Sequence, residues 1–419
     1  MVTLLVLADD FTGALDTGIK FADSGVYTKV ITGKTVDFAQ ISPEVVVLVI
    51  DLQTRHVEQG LAYQTVYHMV KQAKAFGIPY IFKKTDSGLR GNIGSELSAL
   101  YDATNNTPVS FIPALPDLNR ITSHGVQIID GVFVSKSVFG RDPFSPVTKD
   151  SVAEIIKQQA AKPVAVQLKG DTHHHFTAIT VYDATTNEDI WEIGQRLKEN
   201  NALNAIAGCS GFGAILPELL ELQGNHKNES IASNRLIVVC GSVNPITTAQ
   251  VAYATMSGFV HVALTLEEKM LPRYWQSDKG RARLHEIKAQ LDKKRRIIFS
   301  SFDETADETL TYGKQQGMNA TEVGGQIASS MGELLKALIE IGLDGTYLVT
   351  GGDTLLGFMD EINQHELAMV TEILPGNVLS HLTYQGKLVQ VISKSGGFGA
   401  EDNFIQLAQK LLGGEEDET

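Results

Sequence analysis

Val2-Thr3-Leu4-Leu5-Val6-Leu7-Ala8-Asp9-Asp10-Phe11-Thr12-Gly13-Ala14 begins with an apolar run and ends it with two aspartates. An apolar run cut off by a polar pair reads as a buried strand that stops in a loop. Thr12 is placed to cap a helix running to about Ala22, so the stretch reads as strand, turn and helix. The same order returns downstream. Val45 to Ile50 is a second buried strand, ending at Asp51, and Val57 to Phe76 has helical spacing stopped by Gly77 with Pro79 beyond. Pro79 to Phe82 is a third strand, followed by Lys83-Lys84-Thr85-Asp86-Ser87-Gly88 and a helix to about Ala103. Strands alternating with helices build a mostly parallel sheet covered on both faces.

Farther on, Val132 to Phe139 reads as a hairpin strand, and Ser151 to Leu222 continues the αβ pattern. The polar segment Gln223 to Ser233 is the boundary candidate. Strand runs resume at Arg235 to Cys240, Arg296 to Ser300, Thr346 to Thr350, Met369 to Ile373 and Leu388 to Ile392, with a last helix near Asn403 to Leu411. The expected class is α/β in two domains, 1–228 and 229–419, each a mostly parallel or mixed sheet flanked by helices. A chain of 419 residues is long enough for two cores.

Hydrophobic residues make up 43% and charged residues 20%, a globular composition, and the net charge of −14 argues against a nucleic-acid or membrane-surface binder. Two cysteines, Cys209 and Cys240, make no disulfide framework. With no secretory pattern at the start and no bilayer-length apolar run, the expected compartment is the cytoplasm. His173-His174-His175 reads as a solvated loop rather than a metal site, because neighbouring histidines do not converge on one point. Leu271 to Lys294 suits a domain interface or a homodimer contact.

In parallel sheets the ligand crevice lies outside the carboxyl ends of the strands. Asp9-Asp10, Asp51 to Arg55 and Lys84 to Ser87 all fall at such ends. Lys84 and Arg55 suit a carboxylate, Arg55 through two parallel hydrogen bonds. Asp9, Asp10 and Asp86 suit hydroxyls, and Asp10 or Asp86 suits a proton acceptor. Each motif taken singly serves equally as a helix cap or a turn. Arg90 serves a phosphate or a surface pair. In the second half Gly241-Ser242, Gly351-Gly352-Asp353-Thr354 and Ser395-Gly396-Gly397-Phe398-Gly399 are glycine turns at strand–helix junctions, which suit phosphate. None is a P-loop or a dinucleotide fingerprint.

Taken together, Ala8 to Ala14, Lys83 to Gly91, Gly241-Ser242, Gly351 to Thr354 and Ser395 to Gly399 resemble the four-carbon acid sugar kinase family over nearly the whole chain. The resemblance implies an N-terminal acid-sugar-binding domain, a C-terminal nucleotide-binding domain, and ATP with Mg²⁺. It places Asp9 or Asp10, Arg55, Lys84, Thr85, Asp86 and Ser87 on the sugar acid. It places Ser242, Gly351, Gly352, Asp353, Thr354, Gly396 and Gly397 on ATP, and leaves the metal ligands open, with Asp353 as a carboxylate facing or near the metal. Gly13-Ala14-Leu15-Asp16 looks like the threonate/erythronate side, since the oxo-tetronate branch usually has Thr at the third position. D-threonate is therefore the expected acceptor, with D-erythronate or a 3-oxo-tetronate as alternatives. The rival of another class is a sensor that binds ATP and an acid without turnover.

Overall fold

The computed structural model describes residues 1–33, 35–142, 144–171, 177–224, 231–241, 244–302 and 308–413. The chain divides into two compact units, Met1–Lys227 and Asn228–Thr419.

In the first unit β1 (Leu4–Ala8) leads into α1 (Phe11–Asp23), then β2 (Thr28–Thr32), β3 (Val47–Asp51), α2 (Gln59–Phe76), β4 (Tyr80–Lys84), α3 (Ile93–Ala103) and β5 (Val109–Ile112). An antiparallel excursion, β6 (Arg120–Ser123), β7 (Val126–Ile129) and β8 (Val132–Phe133), comes next. After it follow α4 (Val152–Lys157), β9 (Val164–Gln167), β10 (Ile179–Tyr182), α5 (Asn187–Glu199), β11 (Ala205–Gly208) and the short α6 (Ser210–Gly213) and α7 (Leu216–Leu219). The main strands pair in the order β2-β3-β1-β4-β11-β5-β10-β9, every pair parallel.

All five residues of β1 and of β3 are buried. Strands buried on both faces need continuous apolar runs, which is why these two stand out in the sequence. The expected hairpin strand at Val132 to Phe139 shrinks to two exposed residues, with 3₁₀ turns at Val134–Lys136 and Phe139–Arg141. Helix α2 ends at Gly77 with φ 94°, a conformation that a side chain would strain. Asn92 opens α3 without capping it, because its amide donates to the carbonyls of Thr54 and Val57 at 2.8 and 2.9 Å. That bond ties the helix start to the loop after β3.

The second unit contains β12 (Leu236–Cys240), α8 (Pro245–Met256), β13 (Val260–Ala263), α9 (Leu266–Met270), α10 (Asp278–Leu291), β14 (Arg296–Ser300), α11 (Glu308–Gln315), α12 (Ala320–Glu340), β15 (Thr346–Thr350) and α13 (Gly352–Glu361). It closes with β16 (Glu366–Leu374), β17 (Asn377–Tyr384), β18 (Lys387–Lys394) and α14 (Asn403–Leu412). Its order is β13-β14-β12-β15-β18-β17-β16, parallel as far as β18 and antiparallel beyond. Leu236, Val238, Ile298, Leu348, Ile392 and Phe404 share its core. Fully burying each such side chain contributes about 1.5–3 kcal/mol. Among the described residues no helix is long and apolar enough to cross a membrane.

Candidate active site

Strands β3, β1 and β4 lie side by side, with Asp51, Ala8 and Lys84 in register at their ends. The three polar clusters therefore share one sheet edge. Arg55 joins the first two. Its backbone N–H and that of Thr54 donate to the Asp9 carbonyl at 3.1 and 2.9 Å. Its guanidinium donates from Nε to Asp9 Oδ2 at 2.8 Å and from Nη1 to Asp10 Oδ2 at 2.6 Å. The other Asp10 oxygen accepts the Gly13 N–H at 3.0 Å and caps α1. The cap is thus Asp10 and not Thr12, which lies inside the helix. Burial pushes the Asp9 carboxyl up, but the charges of Arg55, Lys83 and Lys84 pull it further down, so it stays ionised.

The adjacent lysines of β4 point to opposite faces. Lys83 is fully buried against Glu96 at 3.0 Å, and the Thr54 hydroxyl donates to the same carboxylate. Lys84 is 5% exposed, and among the described residues its ammonium has neither an ion pair nor a hydrogen bond. It lies over Gly13, where an added Cβ would come within 2.5 Å of Lys84 Nζ and of Asp10 Oδ1 alike. A glycine is needed there to let the two charged groups approach. Thr85 N–H donates to the Gly208 carbonyl at 2.7 Å and sets the start of the next loop.

Asp86 takes three bonds from Arg90, at 2.7 Å from Nε, 3.2 Å from Nη2 and 3.2 Å from the backbone N–H. Arg90 also pairs with Asp142 at 3.0 Å and stacks on Phe139. Of the two roles expected for Arg90, the structure shows the paired one. Burial pushes Asp86 up, but Arg55, the Arg90 hydrogen bond and charge, and Lys84 hold it well below the usual carboxylate range. The Ser87 hydroxyl oxygen accepts a hydrogen bond from the Arg120 guanidinium, and the Ser87 carbonyl accepts one from Gln127 Nε2 at 3.0 Å.

Three residues here had no part in the sequence reading of the site: Glu96, Arg120 and Asp51 as a titrating group. Glu96 and Arg120 carry no local signal, because their partners lie far away along the chain. Asp51 ends a strand, which was a signal. Its Oδ1 accepts the Gln53 N–H at 3.1 Å, and its buried Oδ2 has no hydrogen-bond partner. Burial, with the charges of Asp10 and Asp9 adding, pushes it up to about 7 against that bond. A cleft of about 570 Å³, lined by Arg55, His56, Arg90, Phe144, Ser145 and Gln158 among others, adjoins the cluster on its arginine side. That volume suits a small ligand, for which clefts run to ~300–1,000 Å³.

In the second unit β12, β15 and β18 are neighbours, with Cys240 in register with Thr350 and Thr350 with Lys394. The glycine turns follow these ends. Gly351, with φ 97°, precedes α13, and its N–H donates to the Lys394 carbonyl at 3.0 Å. Gly352 and Asp353 form the first turn of α13, while a Cβ on Gly241 would stand 2.1 Å from Thr354 Oγ1. Thr247 Oγ1 donates to the Gly396 carbonyl at 2.8 Å. Gln250 Nε2 donates to the carbonyls of Phe398, Gly399 and Ala400 at 3.0, 3.1 and 2.9 Å. Gly397 sits in open space, its nearest neighbour to an added Cβ being Asn244 Nδ2 at 3.7 Å. Helix α13 begins at this edge with no side-chain cap on its first turn, and a helix start favours negative charge. Ser242 and His173 to His175 lie outside the described residues. Among those described, no three His, Cys, Asp or Glu side chains gather as a metal-holding group. Mg²⁺ in a nucleotide site needs only one or two carboxylates besides phosphates and water. The exposed Asp353 fits that need.

A family model described as a sugar-binding N-terminal domain matches residues 4–216, and one described as a nucleotide-binding C-terminal domain matches residues 237–404. A D-threonate kinase of Salmonella typhimurium is 26% identical over 95% of this chain and 96% of its own length. A D-erythronate kinase of Heliobacterium modesticaldum is 22% identical over 98% of both chains. A 3-oxo-tetronate kinase of Burkholderia multivorans is 23% identical over 97% of both. Two crystal structures share the fold. One, from Salmonella typhimurium LT2 and provisionally described as a tRNA synthase, has TM-score 0.81 at 22% identity, covering 98% of this chain and all (100%) of its own. The other, Haemophilus influenzae protein HI1011, has TM-score 0.76 at 21% identity, covering 97% of this chain and 100% of its own. Both units are matched and the relatives span nearly the whole chain, so the protein belongs to the four-carbon acid sugar kinase family.

Proposed function

We propose that the protein is an ATP-dependent kinase that phosphorylates the terminal (4-) hydroxyl of a four-carbon sugar acid, with D-threonate as its acceptor. The observation that carries this reading is the buried Lys84 ammonium, which among the described residues makes no ion pair with the neighbouring carboxylates, those being already bonded to arginines. A monocarboxylate supplies the missing charge. Asp9, Asp10, Thr85, Asp86 and Ser87 then surround a small polyol with acceptors and donors, and Arg55 fixes Asp9 and Asp10 for it. The D-threonate choice is supported by Gly13-Ala14-Leu15-Asp16 and by relatives named D-threonate kinases.

The chemistry is one displacement. The acid's 4-oxygen bonds to the γ-phosphorus, the bond from that phosphorus to the ADP oxygen breaks, and the hydroxyl proton passes to a carboxylate. Asp10 suits that role better than Asp86, which its arginine clamp makes a poor proton acceptor. Gly351, Gly352, Thr354, Gly396, Gly397 and the Ser242 turn would hold the nucleotide. Mg²⁺, which Asp353 would help hold, supplies charge neutralisation at the phosphates when bound.

The test is ADP release with ATP, Mg²⁺ and a panel of four-carbon acids. A kcat/KM for D-threonate well above those for D-erythronate and 3-oxo-tetronates is expected, and equal rates would remove the substrate choice. Saturable acid binding without ADP release from any acid would replace the kinase with a sensor. Single-turnover rates should fall far more in Asp10→Asn than in Asp86→Asn once each is saturated with acid.

A further inference from the structure

Lys394 ends β18 at the middle of the glycine-turn edge, yet no nucleotide motif in the sequence includes it. Its side chain is only 2% exposed. Its ammonium donates to the Ser395 carbonyl at 3.0 Å, and no carboxylate among the described residues lies within ion-pair distance of it. Across the sheet its register partners are neutral, Thr350 on β15 and Asn377 on β17. Among the described residues Cys240 on β12 is the one titratable group that acts on it. That thiol is buried and itself pushed up to about 12, so it stays neutral and offers no counter-charge. Burial accordingly brings the lysine down to about 8.

A buried ammonium is costly unless an anion joins it. In the first unit the buried cations Arg55 and Lys83 have carboxylates against them. At Lys394 the fold supplies none, but the turns on either side begin α13 and α14, whose N–H groups favour negative charge. The backbone of Lys394 also anchors the Gly351 turn.

We propose that Lys394 is the phosphate-binding lysine of the nucleotide site, its ammonium held in reserve for the polyphosphate of ATP in place of a P-loop lysine. This rests on the reading of the second unit as the ATP site. Bound phosphate then holds the lysine protonated, so ATP binding and proton uptake are linked at alkaline pH.

The test is calorimetric titration of the full chain with ATP and Mg²⁺, and separately with adenosine, in buffers of different ionisation enthalpy. At pH 9 ATP itself carries no titrating proton, and the expected result is uptake approaching one proton per ATP. Adenosine should give none, and uptake should vanish for ATP near pH 7. Lys394→Met should weaken ATP at least tenfold at pH 7 and abolish the uptake, while adenosine and the sugar acid bind within twofold of the wild type. ATP binding without proton uptake at pH 9 overturns the proposal, and this arm needs no variant to fold. An equal loss of ATP and adenosine affinity in Lys394→Met overturns it too, in favour of a packing role. No binding of any nucleotide by the wild type would instead defeat the underlying assignment of the second unit.

Discussion

Replacing Arg55 by Met removes the cation that Asp9 and Asp10 share. Asp9 is 1% exposed, its Oδ2 loses the 2.8 Å bond, and its Oδ1 already lacks a hydrogen-bond partner. Breaking a buried pair from one side costs about 3–5 kcal/mol, because the other charge stays behind unpaired. Asp10 adds little, since its side chain is 29% exposed and water screens it. The expected loss at pH 7 is therefore about 3–4 kcal/mol, nearly all from Asp9. The pH dependence has a definite sign. The folded Asp9 has a depressed pKa, so its stabilisation is present above the unfolded value of ~3.9 and is lost as pH falls through the folded one. Wild type loses that advantage in acid, while the variant's Asp9 becomes neutral and stops costing, so the gap must narrow below about pH 4. The assay is urea unfolding followed by Trp191, on α5 of the first unit, in a Trp275→Phe background that silences the other tryptophan. A deficit under about 1 kcal/mol at pH 7 would refute the claim that Arg55 compensates a buried charge. So would a deficit of the same size at about pH 3.

Two further outcomes follow from the same edge. Gly13→Ala puts a methyl within 2.5 Å of both Lys84 Nζ and Asp10 Oδ1, and flexible side-chain ends can move aside, so the fold survives. Displacing one charge-assisted bond should raise the acid's KM about tenfold to a hundredfold while leaving the KM for ATP unchanged, as steady-state kinetics will show. Asp51→Asn should stabilise the protein at alkaline pH. The folded pKa of Asp51, about 7, lies above its unfolded value, so the carboxyl costs stability increasingly from about pH 4 to pH 7 and fully above. The amide removes that cost, giving a gain of roughly 2–4 kcal/mol at pH 8 and none near pH 3.5 by denaturant titration. A gain independent of pH would point to packing instead.

The parts of the fold that were legible are those where burial on both faces forces a continuous apolar run. Val47–Asp51 and Thr346–Thr350 announce themselves that way. Strand β17 does not: Asn377, Ser380 and His381 interrupt it, although all three are buried in the tertiary structure. At Val132 to Phe139 the apolar residues suggest a strand, but the two that are buried, Val134 and Phe139, reach the core from 3₁₀ turns, so their burial does not require the extended form. Within the site, position along strands was enough to bring Asp9-Asp10, Arg55 and Lys84 to Ser87 together, because parallel register aligns the carboxyl ends. Pairing was not legible. Asp9 and Arg55 meet 46 residues apart, Lys83 and Glu96 meet across β4 and α3, and nothing local distinguishes Lys83 from Lys84. Only the pleat decides which of the two adjacent lysines is spent on a carboxylate and which lies over Gly13 without an ion pair.

That division answers how a chain of net charge −14 would take two anionic substrates. Repulsion from the remote surface is screened over about 8 Å at physiological ionic strength, so contact-range groups decide binding. Counting local cations does not identify those groups. Arg55, Lys83 and Arg90 are neutralised by Asp9, Asp10, Glu96, Asp86 and Asp142, and their free energy goes into holding loops in place. A cation already paired gains little from a ligand, because the ligand must displace or share the resident carboxylate. A buried cation without a carboxylate costs the empty protein stability, and recovers it only when an anion arrives. Lys394 in the second unit is a buried lysine of that kind, and Lys84 in the first is a buried lysine that feels the charges of Asp9 and Asp86 but makes no ion pair among the described residues. Each stands at a parallel sheet's carboxyl edge, where the helix starts already favour negative charge. The absence of an ion pair, rather than the presence of a positive charge, is the reason these two lysines are the ones proposed to meet substrate.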